Sequence, residues 1–434
     1  MSSLIERFFT VVRKQFHVWF KYILNAGARQ LIVQILGFLS GIVIIRLLSK
    51  DEYAYYTLAN TMLGTMTVLA DGGIATAVTA AGGKVWQDKY KLGEVFYTGW
   101  SLKQKFAIGS FMLSAPILFY LLKRNGIENW MAILLLLALI PSFFSILSNS
   151  FFQIPLKLHQ DLNVLQNNQI LVGVLRVVLI TSVVFFIPYS FIIILLTGLA
   201  QYYGNFKIKT KAKKFLLPSD TNPEVKKYII NRVKRTLPLA IYFCLSGQIT
   251  VWMLSFFGST DSVAQIGALG RFAMLLSLVT TLFNIIFVPR FSRQLNVREV
   301  LIKKYLLSLG VLCIPLILLM LTVLLIPGPI LWLLGDKYSN LNTELFLLMA
   351  GSCINLLAGA SYALYSNRGH IIHPVLGVII GISGILLGLL IFKVNTLLGA
   401  LYYNLFVAIY SFIANFGYGI YKLYSVKDRL HYES

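Results

Sequence analysis

Charge is scarce in this chain, and acidic charge is scarcest. Of 434 residues only 12% are Asp, Glu, Lys or Arg, about half the share of a soluble domain. The 16 acidic residues face 38 basic ones, a net charge of +22. These bases do not gather on a separable soluble domain, so no nucleic-acid partner is expected. Cysteine is nearly absent too. Cys244, Cys313 and Cys353 sit in apolar segments without CxxC spacing, which excludes a disulfide framework or a zinc site. No GxxxxGK[ST] loop occurs, so the chain is not expected to hydrolyse ATP. The five histidines (17, 159, 370, 373, 431) lack metal spacing and a nucleophile partner. Neither an enzyme nor a bound cofactor is expected.

What the chain has is apolar length: 57% of it is hydrophobic. A helix needs about 20 apolar residues to cross a bilayer. On that basis six spans fall near 28–48, 55–80, 104–122, 130–152, 170–187 and 190–206. Six more fall near 236–257, 263–288, 305–326, 343–366, 374–392 and 397–421. The expected fold is an all-α integral membrane protein with twelve transmembrane helices. The N-terminal stretch MSSLIERFFTVVRKQFHVWFKYI lacks the uninterrupted apolar region and cleavage site of a signal peptide. Residues 1–27 are expected to form an amphipathic surface segment, with Arg7, Arg13, Lys14 and Lys21 toward lipid headgroups.

The bases set an orientation. With both ends cytoplasmic, 29 of the 38 Lys and Arg lie in cytoplasmic segments, against Lys50, Lys123, Arg124, Lys337 and Lys393 on the other side. This is a strong positive-inside signal. Ten of the bases fall in 207–235, read as a basic cytoplasmic linker meeting anionic lipid. It divides an N-lobe (28–206) from a C-lobe (236–421), with 422–434 as a cytoplasmic tail. Because six is even, any repeat relating the lobes is parallel, about an axis along the membrane normal.

Four arginines remain inside or at the edge of spans: Arg29, Arg46, Arg176 and Arg271. Asp71 is the carboxylate that lies comparably deep. A charge at the helix centre costs about 2.5–3.5 kcal/mol on insertion scales, so it persists where it faces a cavity or a partner. A positive interior suits an anionic cargo. Arg271 has no carboxylate one turn away, Asp261 being ten residues back, and a guanidinium can grip phosphate oxygens bidentately. The alternative is an interhelical tie. Arg176 can line a cavity or snorkel to the interface. Arg29, at the start of the first span, suits a headgroup contact, and Arg46 an ion pair with Asp51 or Glu52. Asp71 has two readings, proton or Na+ coupling and a helix tie to one of the arginines. Among the polar residues in spans (Gln34, Asn149, Gln248, Asn284, Asn355, Asn404, Asn415) interhelical hydrogen bonds are the common use. Asn284 is the preferred sugar contact because it shares a span with Arg271. The glycine-rich 377–388 reads as a close-packing face.

The stretch RQLIVQILGFLSGIVIIRLLSKDEYAYYTLANTMLGTMTVLADGGIATAV (29–78) resembles the polysaccharide and O-antigen flippases of the multidrug/oligosaccharidyl-lipid/polysaccharide exporter superfamily. The likeness rests on a first span ending Arg46-Leu47-Leu48, the turn at 49–53, and Asp71-Gly72-Gly73-Ile74. QIGALGRFAMLLSLVTTLFNIIFVPRFSRQ (265–294) is similar to the family's eighth span. The resemblance implies two parallel six-helix lobes around a central cavity. It also implies an undecaprenyl-diphosphate-linked oligosaccharide as cargo. That cargo would move from inner to outer leaflet of a bacterial plasma membrane by alternating access, for surface polysaccharide assembly. Arg271, Arg176, Arg29 and Asn284 would then contact the pyrophosphate–sugar head, with Asp71 available for coupling. Polysaccharide polymerase machinery would be a partner. The rivals are a cation or drug antiporter of the same superfamily and a membrane polysaccharide polymerase.

Overall fold

Broken and unbroken helices account for every regular element in the computed structural model, which describes residues 27–294, 297–370 and 372–426. No strand occurs among the described residues. The expected amphipathic N-terminal segment lies outside them, as does the tail beyond 426.

The first half contains α1 (Gly27–Leu47), α2 (Lys50–Asp71), α3 (Ile74–Gly82), α4 (Lys89–Arg124), α5 (Asn129–Leu158), α6 (Leu162–Val184) and α7 (Ser190–Ala212). The second half contains α8 (Pro223–Phe257), α9 (Thr260–Ala273), α10 (Leu276–Ser292), α11 (Arg298–Leu325), the short α12 (Pro327–Trp332), α13 (Asn342–Ser366), α14 (Pro374–Ile391) and α15 (Leu397–Tyr424). Ten helices are long and apolar enough to cross a membrane, counting α9 with α10 as one. Among the described residues the bent pair α2–α3 adds one more span, and the shorter apolar helix α14 completes the twelve. The chain is therefore a multi-pass membrane protein in a twelve-helix, two-lobe arrangement. Many large apolar side chains are exposed, as along α11 at Ile314, Ile317, Leu318 and Leu321. In water such a face would be a liability, whereas hydrocarbon is its natural solvent.

Local chemistry sets the helix starts. Ser49 accepts from the Glu52 amide ahead of α2, and Asp51 and Glu52 occupy its first turn; both satisfy exposed amides and oppose the positive helix end. Asn222 caps α8 with Pro223 at its first position, where the missing amide hydrogen costs nothing. The break between α2 and α3 falls at Gly72 and Gly73, with φ of +49° and +95°, which bend the span by 45°. A Cβ on Gly73 would lie 2.2 Å from the Thr236 hydroxyl. Glycine thus serves both the left-handed turn and the close approach of α8.

The halves match in plan. The most extensive helix pairing of the first half is α5 with α7, and of the second α13 with α15. These are the fourth with the sixth span and the tenth with the twelfth. The second and eighth spans are both broken, at 72–73 and 274–275. Correspondence in chain order is what a parallel repeat about the membrane normal produces.

Two apolar clusters hold the helices. One runs through the second half and the part of the first half remote from the chain ends. The other packs α3, α4, α5 and α7 near the face where the described chain begins and ends. The segment expected as a basic linker is mostly helical. It finishes α7, makes one 3-10 turn at Lys213–Phe215, and resumes as the first turns of α8. Leu216, Ile229 and Val233 from this segment are buried in the second cluster. Lys103, counted in sequence among the loop bases, is instead 1% exposed within α4, because that helix begins well before the expected span.

Candidate functional site

Arg271 stands eleven residues beyond the start of α9, about 17 Å along the helix. The helix reaches α2 closely because a Cβ on Gly267 would lie 2.3 Å from the Thr57 hydroxyl. Four residues later the guanidinium meets two tyrosines of α2. Arg271 Nε donates to the Tyr53 hydroxyl at 3.3 Å, and a terminal nitrogen donates to the Tyr56 hydroxyl at 3.3 Å. Its charge also lies 5.7 Å from the centre of the Tyr56 ring, a cation–π distance. Gly41 of α1 leaves room for the stem, since a Cβ there would come within 3.0 Å of Arg271 Cδ.

Arg176, on α6, lies within electrostatic reach of Tyr56 and Arg271. Its Nε is buried without a hydrogen-bond partner among the described residues. The ion pairs among those residues are Lys50–Asp261 and Lys103–Asp71, so neither arginine is neutralised by a carboxylate. Two guanidiniums thus converge deep in the bundle, one held by neutral hydroxyls and one with an unsatisfied donor. Buried donors without partners are costly, and an anion would satisfy them.

The other two expected contacts stand apart. Arg29 is half-buried and donates to Asn163 at 2.7 Å, joining α1 to the start of α6 on the face where the described chain begins and ends. Asn284 is exposed on α10, thirteen residues past Arg271 and beyond the helix break, about 20 Å farther along the span.

Two expected partners are corrected. Arg46 does not pair with Asp51 or Glu52. It donates to the carbonyls of Leu333 at 3.0 Å and Trp332 at 2.7 Å, with its charge 4.7 Å from the Trp332 ring. The end of α12 offers carbonyls carrying partial negative charge, which suit a cation. Glu52 turns instead to the Ser190 amide at 2.7 Å, at the start of α7. Asp71 is tied to Lys103 at 2.8 Å and not to an arginine. Lys103 also reaches Ser150 at 3.1 Å and lies 5.2 Å over the Phe151 ring. The same Asp71 oxygen accepts from the Ala75 amide at 3.3 Å, past the break in the span.

On the face opposite the chain ends the halves are bonded together. Lys50 pairs with Asp261 at 3.0 Å. Lys337 donates to the Leu48 carbonyl at 2.8 Å, and Arg124 to the Phe256 carbonyl at 2.7 Å. Asn125 donates to the Ser255 hydroxyl at 2.7 Å. With Arg46, these contacts close that end of the interface.

Sequence reasoning missed Tyr53 and Tyr56. Aromatics three apart on a helix look like packing, and the arginine they hold is more than 200 positions away. It missed Lys103 because the residue borders a basic loop.

No protein family model and no curated protein matches the chain. Solved structures do. An inward-facing multidrug resistance MATE family transporter of the MOP superfamily superimposes with a TM-score of 0.73 at 14% identity, over 94% of this chain and 100% of the other. The lipid II flippase MurJ in an inward closed conformation gives 0.68 at 14% identity, over 92% and 86%. An outward-facing MATE transporter gives 0.60 at 16% identity, over 94% and 95%. At these identities the likeness is one of fold: the chain has the fold shared by the MOP-superfamily transporters.

Proposed function

We propose that this protein is a flippase for an undecaprenyl-diphosphate-linked oligosaccharide. It would move the head group from the inner to the outer leaflet of a bacterial plasma membrane for O-antigen or exopolysaccharide assembly. The observation that carries this reading is the Arg271–Arg176 pair, without a carboxylate partner among the described residues and with one buried nitrogen unbonded. The lipid II flippase among the structures of like fold supports a lipid-linked cargo.

The geometry suggests how loading couples to movement. The Arg271–tyrosine bonds have one ionised partner and contribute about 1.5–3 kcal/mol each net, whereas a guanidinium–diphosphate contact has two ionised partners and can be bidentate, which makes it stronger. A pyrophosphate would therefore draw Arg271 from Tyr53 and Tyr56, weakening the hold of α9 on α2. The closing contacts on the opposite face would then release as the lobes rock, and the lipid tail would stay in the bilayer. Both termini would lie in the cytoplasm, as the basic loops suggest. Any proton or Na+ coupling would act through Asp71 and its Lys103 tie. Polysaccharide polymerase machinery would receive the product.

A drug antiporter is the second reading, favoured by the MATE structures of like fold. A cationic drug would meet two uncompensated arginines, an unfavourable pairing. The test is a deletion strain assayed for leaflet-resolved lipid-linked oligosaccharide. Accumulation of complete units on the inner leaflet is expected. Accumulation on the outer leaflet would point to a polymerase, and unchanged glycolipid with altered drug efflux would point to the antiporter.

A further inference from the structure

The second half encloses a cavity of its own, of about 670 Å3, between α8, α9, α13, α14 and α15. No charged side chain lines it. Its wall is mostly apolar but carries several neutral polar groups, which hydrocarbon surroundings penalise unless a partner is present. Some of these groups satisfy one another: the Thr250 hydroxyl donates to Asn404 Oδ1 at 2.6 Å. The Asn404 amide nitrogen and the whole Asn355 amide make no hydrogen bond among the described residues. Asn355 is exposed although it sits mid-helix in α13. Tyr403, 1% exposed, carries a hydroxyl with no partner.

The same cavity has aromatic walls, and the glycines of α14 produce them. A Cβ on Gly381 would fall 1.5 Å from the Tyr242 hydroxyl, and one on Gly384 would fall 2.6 Å from the Tyr410 ring. On Gly388 it would fall 2.9 Å from the Tyr403 ring. The glycine stripe thus lets three tyrosines from α8 and α15 lie against bare backbone, so that the half-buried Tyr242 and Tyr410 rings border the space while Tyr403 is buried within its wall. Aromatic faces beside unpartnered amides, without charge, fit a ligand that is itself neutral, hydroxylated on its edges and apolar on its faces. A sugar ring has that chemistry. The volume falls within the ~300–1,000 Å3 of small-molecule pockets.

The location strengthens the match. Gly270 and Ala273 of α9 line this cavity, and a Cβ on Gly270 would meet nothing within 4 Å. Arg271, between them in sequence, points to α2. A single helix therefore separates the arginine site from the neutral pocket. We infer that the second-half cavity, with Asn355, Asn404 and the α14-backed tyrosines, is a subsite for the sugar residues of the cargo. It is distinct from the arginines that would take the diphosphate, and it rests on the flippase reading.

The test measures binding of two probes to the purified full-length protein in nanodiscs. One is sugarless undecaprenyl diphosphate; the other is the undecaprenyl-diphosphate-linked oligosaccharide pool extracted from the native membrane. Asn355→Leu with Asn404→Leu removes the amides, and Gly270→Leu independently fills the cavity. Either change is expected to weaken glycolipid binding at least tenfold while leaving undecaprenyl diphosphate within twofold. Arg271→Ala should weaken both probes. Unchanged glycolipid affinity in both cavity variants overturns the subsite, and the flippase reading survives if Arg271→Ala still loses both. Equal weakening of both probes by the cavity variants shows a merely structural role and also overturns it. Failure of the wild type to bind either probe overturns the flippase reading and the subsite with it.

Discussion

Arg271 Nε on the eighth span donates to the Tyr53 hydroxyl on the second at 3.3 Å, so a cation of one lobe is held by a neutral, fully buried group of the other. This choice of partner matters. A carboxylate in place of Tyr53 would neutralise the arginine and lock α9 to α2. A phenol holds the side chain in position while leaving its charge available.

Replacing Tyr53 with Phe therefore frees a donor that an anion can claim. Tyr53→Phe is expected to tighten binding of undecaprenyl diphosphate by about tenfold or more, the equivalent of one hydrogen bond to a charged group at about 1.5–3 kcal/mol. Titration of the purified protein reads this directly. Weaker binding would mean that the hydroxyl orients Arg271 rather than competing for it.

Arg271→Ala should lower transport at least tenfold with protein abundance unchanged. Arg271→Lys should also impair it, because a point charge cannot reproduce the two-pronged grip of guanidinium. Leaflet-resolved glycolipid assays supply the measurement, and full activity in the Ala variant would remove Arg271 from the site.

Arg176→Leu removes a cation whose Nε is already unsatisfied. The protein should be at least as stable to heating as the wild type, while anion affinity falls. A large drop in thermal stability would instead identify Arg176 as a structural tie.

The Lys103–Asp71 pair behaves differently. Lys103 is 2% exposed at its side chain and Asp71 28%. Breaking a buried pair by removing one partner costs about 3–5 kcal/mol, and the part-exposed Asp71 places this pair toward the lower figure. Asp71→Asn and Lys103→Met should each destabilise the protein, and the double replacement should recover much of the loss. Additive losses would show that the two residues act independently.

On the face opposite the chain ends, Asn125→Ala removes a buried contact with Ser255. It should raise the reactivity of a cysteine placed at Gly41, whose Cβ would meet Arg271, toward a reagent supplied from that face. Unaltered labelling would show that the remaining contacts suffice to close the interface.

Much of the fold was legible in sequence because lipid demands it. A helix must satisfy its own backbone in hydrocarbon, so long apolar runs had to be spans. Arg271 and Arg176 were legible because a charge in such a run requires a cavity or a partner. The partners were not legible. Arg46 meets α12, Asp71 meets Lys103, and Glu52 meets Ser190, because a closer residue in sequence is not a closer residue in space once helices pack. The glycine-rich 377–388 read simply as a packing face. That it receives tyrosine rings, and so shapes a pocket, depends on which helices lie against it.

Sequence alone therefore determined the spans, their number and the excess of positive charge at depth, since each follows from the energetics of residues in a bilayer. Tertiary structure decided the rest: which two arginines converge, and that tyrosines rather than carboxylates hold Arg271. It also decided that four of the spans correspond between halves in their pairing, and that a neutral cavity lies behind α9. Those depend on contacts between residues far apart in the chain, which composition and periodicity do not encode.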